Sequence, residues 1–99
     1  MVREQVDVCK KALQDTLSNE YSSTNYSLDG YREDAVCLQE CDGKWLVYVG
    51  YRNQKDDMKE FPNIVEACLE MIRLLTGGDA AQNTISNAFF SKIVARKTA

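Results

Sequence analysis

The pair Asp42-Gly43, set between two runs of β-forming residues, constrains this chain more than any other feature. The stretch from Asp34 to Tyr51 reads DAVCLQECDGKWLVYVGY. Asp-Gly favours a type I′ turn, in which both residues need positive φ, and such a turn between apolar runs predicts a β-hairpin. Placing the pair in the turn fixes the register, with Cys41 opposite Lys44, Glu40 opposite Trp45, Leu38 opposite Val47 and Val36 opposite Val49. Strand side chains alternate, so one face carries Val36, Leu38, Trp45, Val47, Val49 and Tyr51, with Glu40 at its rim. This is the expected core face. The other face carries Ala35, Cys37, Gln39, Cys41, Lys44, Leu46, Tyr48 and Gly50. It is half apolar, and it is the first place to look for a partner.

The rest of the chain supplies what could cover such a sheet. Val2, Val6, Cys9, Leu13 and Leu17 recur at helical spacing, with Ala12 beside them, and predict an amphipathic helix over 2–18. Tyr26-Ser27-Leu28 alternates briefly and predicts a short first strand, with Tyr31-Arg32-Glu33 as a connector or the start of the next strand. After Tyr51 comes RNQKDDMKE, a polar run over 52–60 expected to be a loop or a frayed strand end. Asn63 followed by Glu66 has the residue types of a capping box, and a helix should run from Ile64 to about Leu75. Val65, Cys68, Leu69, Ile72 and Leu75 form its expected buried stripe, with Met71 at the margin. Gly77-Gly78 stops it, because glycine tolerates the left-handed conformation at a helix C-terminus. Asp79 with Gln82 suggests another cap, and Ile85, Ala88, Phe89 and Ile93 a third helix, with Lys92, Arg96 and Lys97 at its end where the dipole favours cations.

Ninety-nine residues can bury one core, so the chain 1–99 reads as a single domain. The expected fold is α+β: a three-stranded antiparallel sheet, with the N-terminal helix and the following helix packed on one face, plus a C-terminal helix.

Several chemistries are disfavoured by the residues themselves. There is no histidine, which removes Ser-His-Asp and Cys-His machinery and most mixed zinc sites. Cys37 and Cys41 share a strand face but lie ~13 Å apart at a rise of 3.3 Å per residue, too far to chelate one ion. Cys9 and Cys68 fall on apolar helix faces, where a thiol behaves as a small hydrophobe. The carboxylates of Asp29, Glu33, Asp34, Glu40 and Asp42 gather near turns, where solvated charge is the normal state of an acidic group. Gly77-Gly78 lacks the strand and the Lys-Ser or Lys-Thr of a phosphate loop. A non-enzymatic role without metal or cofactor is therefore expected.

Charge narrows the partner. The net charge is −3, with acidic residues dominant over 1–43 and basic residues slightly in excess over 44–99. A helix, three strands and a helix is also the order of the double-stranded RNA-binding domain, which grips phosphates with basic residues at the start of its last helix. Here that start reads Glu60-Phe61-Pro62-Asn63-Ile64-Val65-Glu66, which is acidic, so nucleic acid is not the expected partner. No stretch approaches the ~20 apolar residues of a membrane span, and the N-terminus has no apolar h-region. The expected setting is the cytoplasm, with reduced thiols and no membrane.

Between Tyr26 and Leu75 the pattern YSLDGYREDAVCLQECDGKWLVYVGYRNQ, a polar loop and FPNIVEACLEMIRLL resembles the small immunity proteins encoded beside bacterial polymorphic or contact-dependent growth-inhibition toxins. Gly43, Trp45 and Val47, then Phe61 and Glu66-Ala67-Cys68, carry the likeness over about half the chain. The resemblance implies a chain that binds a cognate toxin domain, such as a nuclease, and occludes its active site or substrate approach. Those families diversify where they meet the toxin, so contact residues come from this sequence itself. Asp29, Tyr31, Glu33, Asp34 and Asp42, with Leu46 and Tyr48 on the second sheet face, are the candidates, since tyrosine gives rigid contact area and carboxylates suit a basic cleft. The alternative is an interaction module acting as a homodimer or complex subunit, suggested by Phe89-Phe90, which puts one ring in and one out.

Overall fold

A computed structural model describes the backbone of residues 3–98 and the side chains of residues 5–95. Val2 of the expected helical stripe, and the side chains of Arg96 and Lys97, lie outside the described residues.

The Asp42-Gly43 turn forms as expected, with φ of 51° and 80°. It joins β2 (Val36–Cys41) to β3 (Lys44–Tyr51) in the register read from the sequence, Cys41 to Lys44 through Val36 to Val49. The sheet is larger than that hairpin implies. Its order is β1-β2-β3-β4, with β1 at Tyr26–Ser27 and β4 at Gln54–Phe61. The class is α+β, but the sheet is four-stranded and mixed, not three-stranded and antiparallel, because β1 runs parallel to β2. Between them, the connector carries the chain over the sheet's second face and back to the same end.

The polar run after Tyr51 is a strand. Arg52 and Asn53 both take positive φ, 51° and 63°, and make the tight turn that an Asp-Gly pair makes in the first hairpin. A bulge follows between the pairs Val47–Lys59 and Val49–Asp56, with Asp57 at φ 53°. Charged side chains and a bulge on this edge strand discourage pairing with a further chain.

α2 (Ile64–Thr76) lies against β2, β3 and β4. The Asn63 side chain accepts from the Glu66 N–H at 2.9 Å, and Gly77 closes the helix at φ 72°. α1 (Arg3–Ser18) runs beside α2 and packs chiefly on α3 (Ala81–Thr98), reaching the sheet through Gln14, whose side chain donates to the Tyr26 hydroxyl at 3.4 Å, so α2 makes the closer helical cover of the sheet. α1 buries Val6, Cys9, Ala12, Leu13 and Leu17, and its buried Thr16 donates to the Ala12 carbonyl at 2.8 Å. Being enclosed by sheet, α1 and α3 turns α2 from the expected stripe. Ile64, Ala67, Cys68, Met71 and Ile72 are buried, whereas Val65, Leu69 and Leu75 form the margin.

Asp79 starts α3 by accepting the Ala81 N–H at 2.9 Å. Ile85, Phe89 and Ile93 then enter the same core as Leu38, Trp45 and Val47. The expected core face holds except at its ends, where Val49 is partly buried and Tyr51 is 45% exposed.

Candidate functional site

The sheet's second face is covered by the chain's own connector, and Gly50 permits it. A Cβ at Gly50 would sit 2.1 Å from the Arg32 carbonyl oxygen, so only glycine lets the two backbones come this close. The contact is sewn by the Asp34 N–H to the Gly50 carbonyl at 2.7 Å and the Gly50 N–H to the Ala35 carbonyl at 2.9 Å. Beneath lie Ala35, Cys37, Leu46 and Tyr48, a small second core. The Cys37 thiol accepts the Arg32 N–H at 3.3 Å and faces the Arg32 carbonyl at 3.4 Å. Burial pushes its pKa up, which leaves it a poor nucleophile.

On top of this core the connector forms a clamp. The Tyr31 ring stacks on Tyr48 with centroids 6.3 Å apart. Tyr48 is fully buried, donates to Gln39 Oε1 at 2.7 Å, and has its phenol pKa pushed up to about 12, first by burial. The Tyr31 hydroxyl donates to the Glu33 carboxylate and accepts the Asn53 N–H at 2.8 Å. Glu33 also accepts the Arg52 N–H at 2.6 Å and the Asn53 N–H at 3.2 Å. These bonds tie the connector to the β3–β4 turn. The Tyr31 bond, then the two backbone N–H groups, hold the Glu33 carboxyl below its usual range, while the same carboxylate pushes the Tyr31 phenol up.

The seven candidate residues thus separate. Tyr31, Glu33 and Tyr48 form one constellation, and exposed Asp34, at φ 58°, adjoins it along the connector. Leu46 is buried with Tyr48 under the connector. Asp29 begins the connector and pairs with Lys10 of α1 at 3.0 Å. Asp42 stands in the hairpin turn, at the opposite end of β3 from the clamp. The sequence places Gln39 on this second face but singles out none of Gln39, Arg52, Asn53 and Lys10 as a site residue. Only Asn53, a residue tolerant of positive φ, carried a signal for the turn.

Two hollows accompany the clamp. A cavity of about 220 Å³ opens between α1 and the β2 side of the sheet, lined by Lys10, Leu28, Asp29, Leu38, Glu40 and Trp45. A shallower groove of about 330 Å³ lies where Phe61, Leu69 and Arg73 meet Gln82. There Glu70 accepts two bonds from Arg73, at 2.8 and 2.6 Å, and pairs with Lys59 at 3.4 Å. The Arg73 bonds are the main reason that the Glu70 carboxyl is held low. None of the four cysteines is in a disulfide, and Cys41 is exposed. Among the described residues no group of three or more Cys, Asp or Glu is placed to hold a metal ion, and no helix is long and apolar enough to cross a membrane.

Compared with models of protein families, with curated proteins and with solved structures, the chain matches none.

Proposed function

We propose that this chain is an immunity protein that binds a cognate bacterial toxin domain in the cytoplasm and blocks its active site or substrate approach, without chemistry of its own. The observation that carries the reading is the connector clamp. Tyr31 is 38% exposed, yet its ring is stacked and its hydroxyl is bonded on two sides, so it offers contact area with little freedom left to lose. Asp29 and Asp34, both exposed, flank it on the same connector. A rigid aromatic between carboxylates suits the basic substrate cleft of a nuclease toxin. Glu33 serves this surface by holding the turn, and Tyr48 by supporting the Tyr31 ring.

The test is co-expression with the product of the adjacent upstream reading frame, scored by growth and co-purification. Rescue of growth with a stable complex is expected. A harmless neighbour that does not co-purify would end the immunity reading.

A second reading, a homodimer or complex subunit joined through α3, is favoured by Phe90 and Val94, which stand one helical turn apart at 41% and 61% exposure. Sedimentation at micromolar concentration separates the two, since a monomer removes the dimer.

A further inference from the structure

We propose that β4 pairs edge to edge with β4 of a second copy of this chain, joining the two sheets across a two-fold axis. β4 ends the sheet, and among the described residues nothing bonds to its outer side. Gly50 makes its backbone bonds toward Asp34 and Ala35, so Lys55, which faces it on β4, turns its N–H and C=O outward. Glu60, opposite Leu46, does the same. An open edge is a template for a further strand, and charged side chains are the usual guard against it. The guard here admits one sequence, because the charges of β4 complement themselves.

Paired antiparallel about its own centre, QKDDMKEF sets Lys55 opposite Glu60 of the second copy and Asp56 opposite Lys59 of the second copy, and each pairing occurs twice. Opposed residues of an antiparallel pair share a face. Lys55 and Glu60 are an odd number of residues apart, which in a regular strand puts them on opposite faces, but the extra residue of the bulge brings them to the same one. Lys55 and Glu60 both lie on the second face, opposite Gly50 and Leu46, while Asp56 and Lys59 both lie on the helix-covered face, opposite Val49 and Val47. Sliding one copy by one or two residues in either direction brings like charges together: Lys55 to Lys59, Asp56 to Glu60, Asp56 to Asp57, or Asp57 to Glu60. One register escapes repulsion. No ion pair has to break to reach it. Glu60 holds Lys44 at 2.8 Å and Lys59 meets Glu70 at 3.4 Å, so the second copy's Lys55 and Asp56 extend these pairs into rows of alternating sign. Met58, 52% exposed, stands at the two-fold and is the apolar side chain that the second copy covers.

This dimer needs neither the toxin nor α3, so it stands apart from both readings above. The test is sedimentation equilibrium of the isolated full chain from micromolar to millimolar concentration, where a contact of one strand per copy should show as weak self-association. Lys55→Glu and Glu60→Lys each set like charges opposite one another, and each alone should weaken association at least about tenfold. Mixed in equal amounts, the two variants regain both opposite-charge pairings, and association should return to within about threefold of the unmodified protein. That recovery also shows both variants to be folded. No association of the unmodified protein at millimolar concentration, undiminished association in both single variants, or a mixture no stronger than its components would overturn the assignment. Loss of association in Phe90→Ala, with both charge variants unaffected, would move the contact to α3 and overturn it equally.

Discussion

Gly50 and Glu33 hold the connector in place by different means, and each can be tested alone. Gly50 acts through space, because an added methyl would meet the Arg32 carbonyl oxygen at 2.1 Å and its carbon at 3.0 Å. Both contacts are backbone, which cannot swing aside as a side chain can. Gly50→Ala should therefore destabilise by about 1–3 kcal/mol, read from urea unfolding. An unchanged midpoint would show that the connector lifts freely from the sheet. Glu33 acts through charge. Its pKa is lowered in the folded state, so its contribution to stability is present above the ordinary value of 4.5 and is lost as pH falls through the lowered folded value. Tyr31→Phe removes the largest cause of that shift. The Glu33 titration midpoint, followed by carboxyl-carbon NMR, should rise toward 4.5 in this variant. A midpoint that stays low would assign the effect to the Arg52 and Asn53 N–H groups instead.

The two hairpins differ in how openly their sequences declare them. Asp42-Gly43 is the residue pair a type I′ turn asks for, and the flanking β-formers alternate, so the β2–β3 register could be read directly. Arg52-Asn53 reaches the same backbone form without glycine, and β4 behind it reads QKDDMKEF. That strand is held by backbone bonds to β3. On its α2 side it carries Lys59, which meets Glu70 across an ion pair, so no apolar alternation betrays it. The second sheet face was equally hidden, because its cover is backbone and Tyr31, not an amphipathic element. α2 was legible in its caps but not in its rotation, since Met71 is buried only because helices flank α2 as well as the sheet. The β4 bulge gives a test at this level. Asp57 sits at φ 53°, where asparagine is tolerated and a β-branched residue is not. Asp57→Val should cost about 1–2 kcal/mol in unfolding free energy. Asp57→Asn should be close to neutral. Equal effects of the two would mean that the strand pairs without this bulge.

The described chain has a radius of gyration of 12.7 Å, close to the ~13 Å of a well-packed domain of about a hundred residues. Its shortest dimension is 19 Å, about what one sheet and one helical layer require at roughly 10 Å each. α3 belongs to that helical layer, packed on α1 and sharing the core with Trp45 and Met71. The adjacent rings of Phe89 and Phe90 measure how much the whole molecule depends on it. Phe89 is fully buried, and Phe89→Ala should cost about 3–5 kcal/mol, a large part of the ~5–15 kcal/mol that holds a domain together. Phe90 is 41% exposed, and in a monomer Phe90→Ala should shift stability by no more than about 0.5 kcal/mol. Denaturation of both variants at two protein concentrations distinguishes the arrangements. Small losses from both substitutions would detach α3 from the core. A loss from Phe90→Ala that grows with protein concentration would mean that a second copy covers that ring, and the dimer reading would then displace the toxin-binding one as the first to pursue.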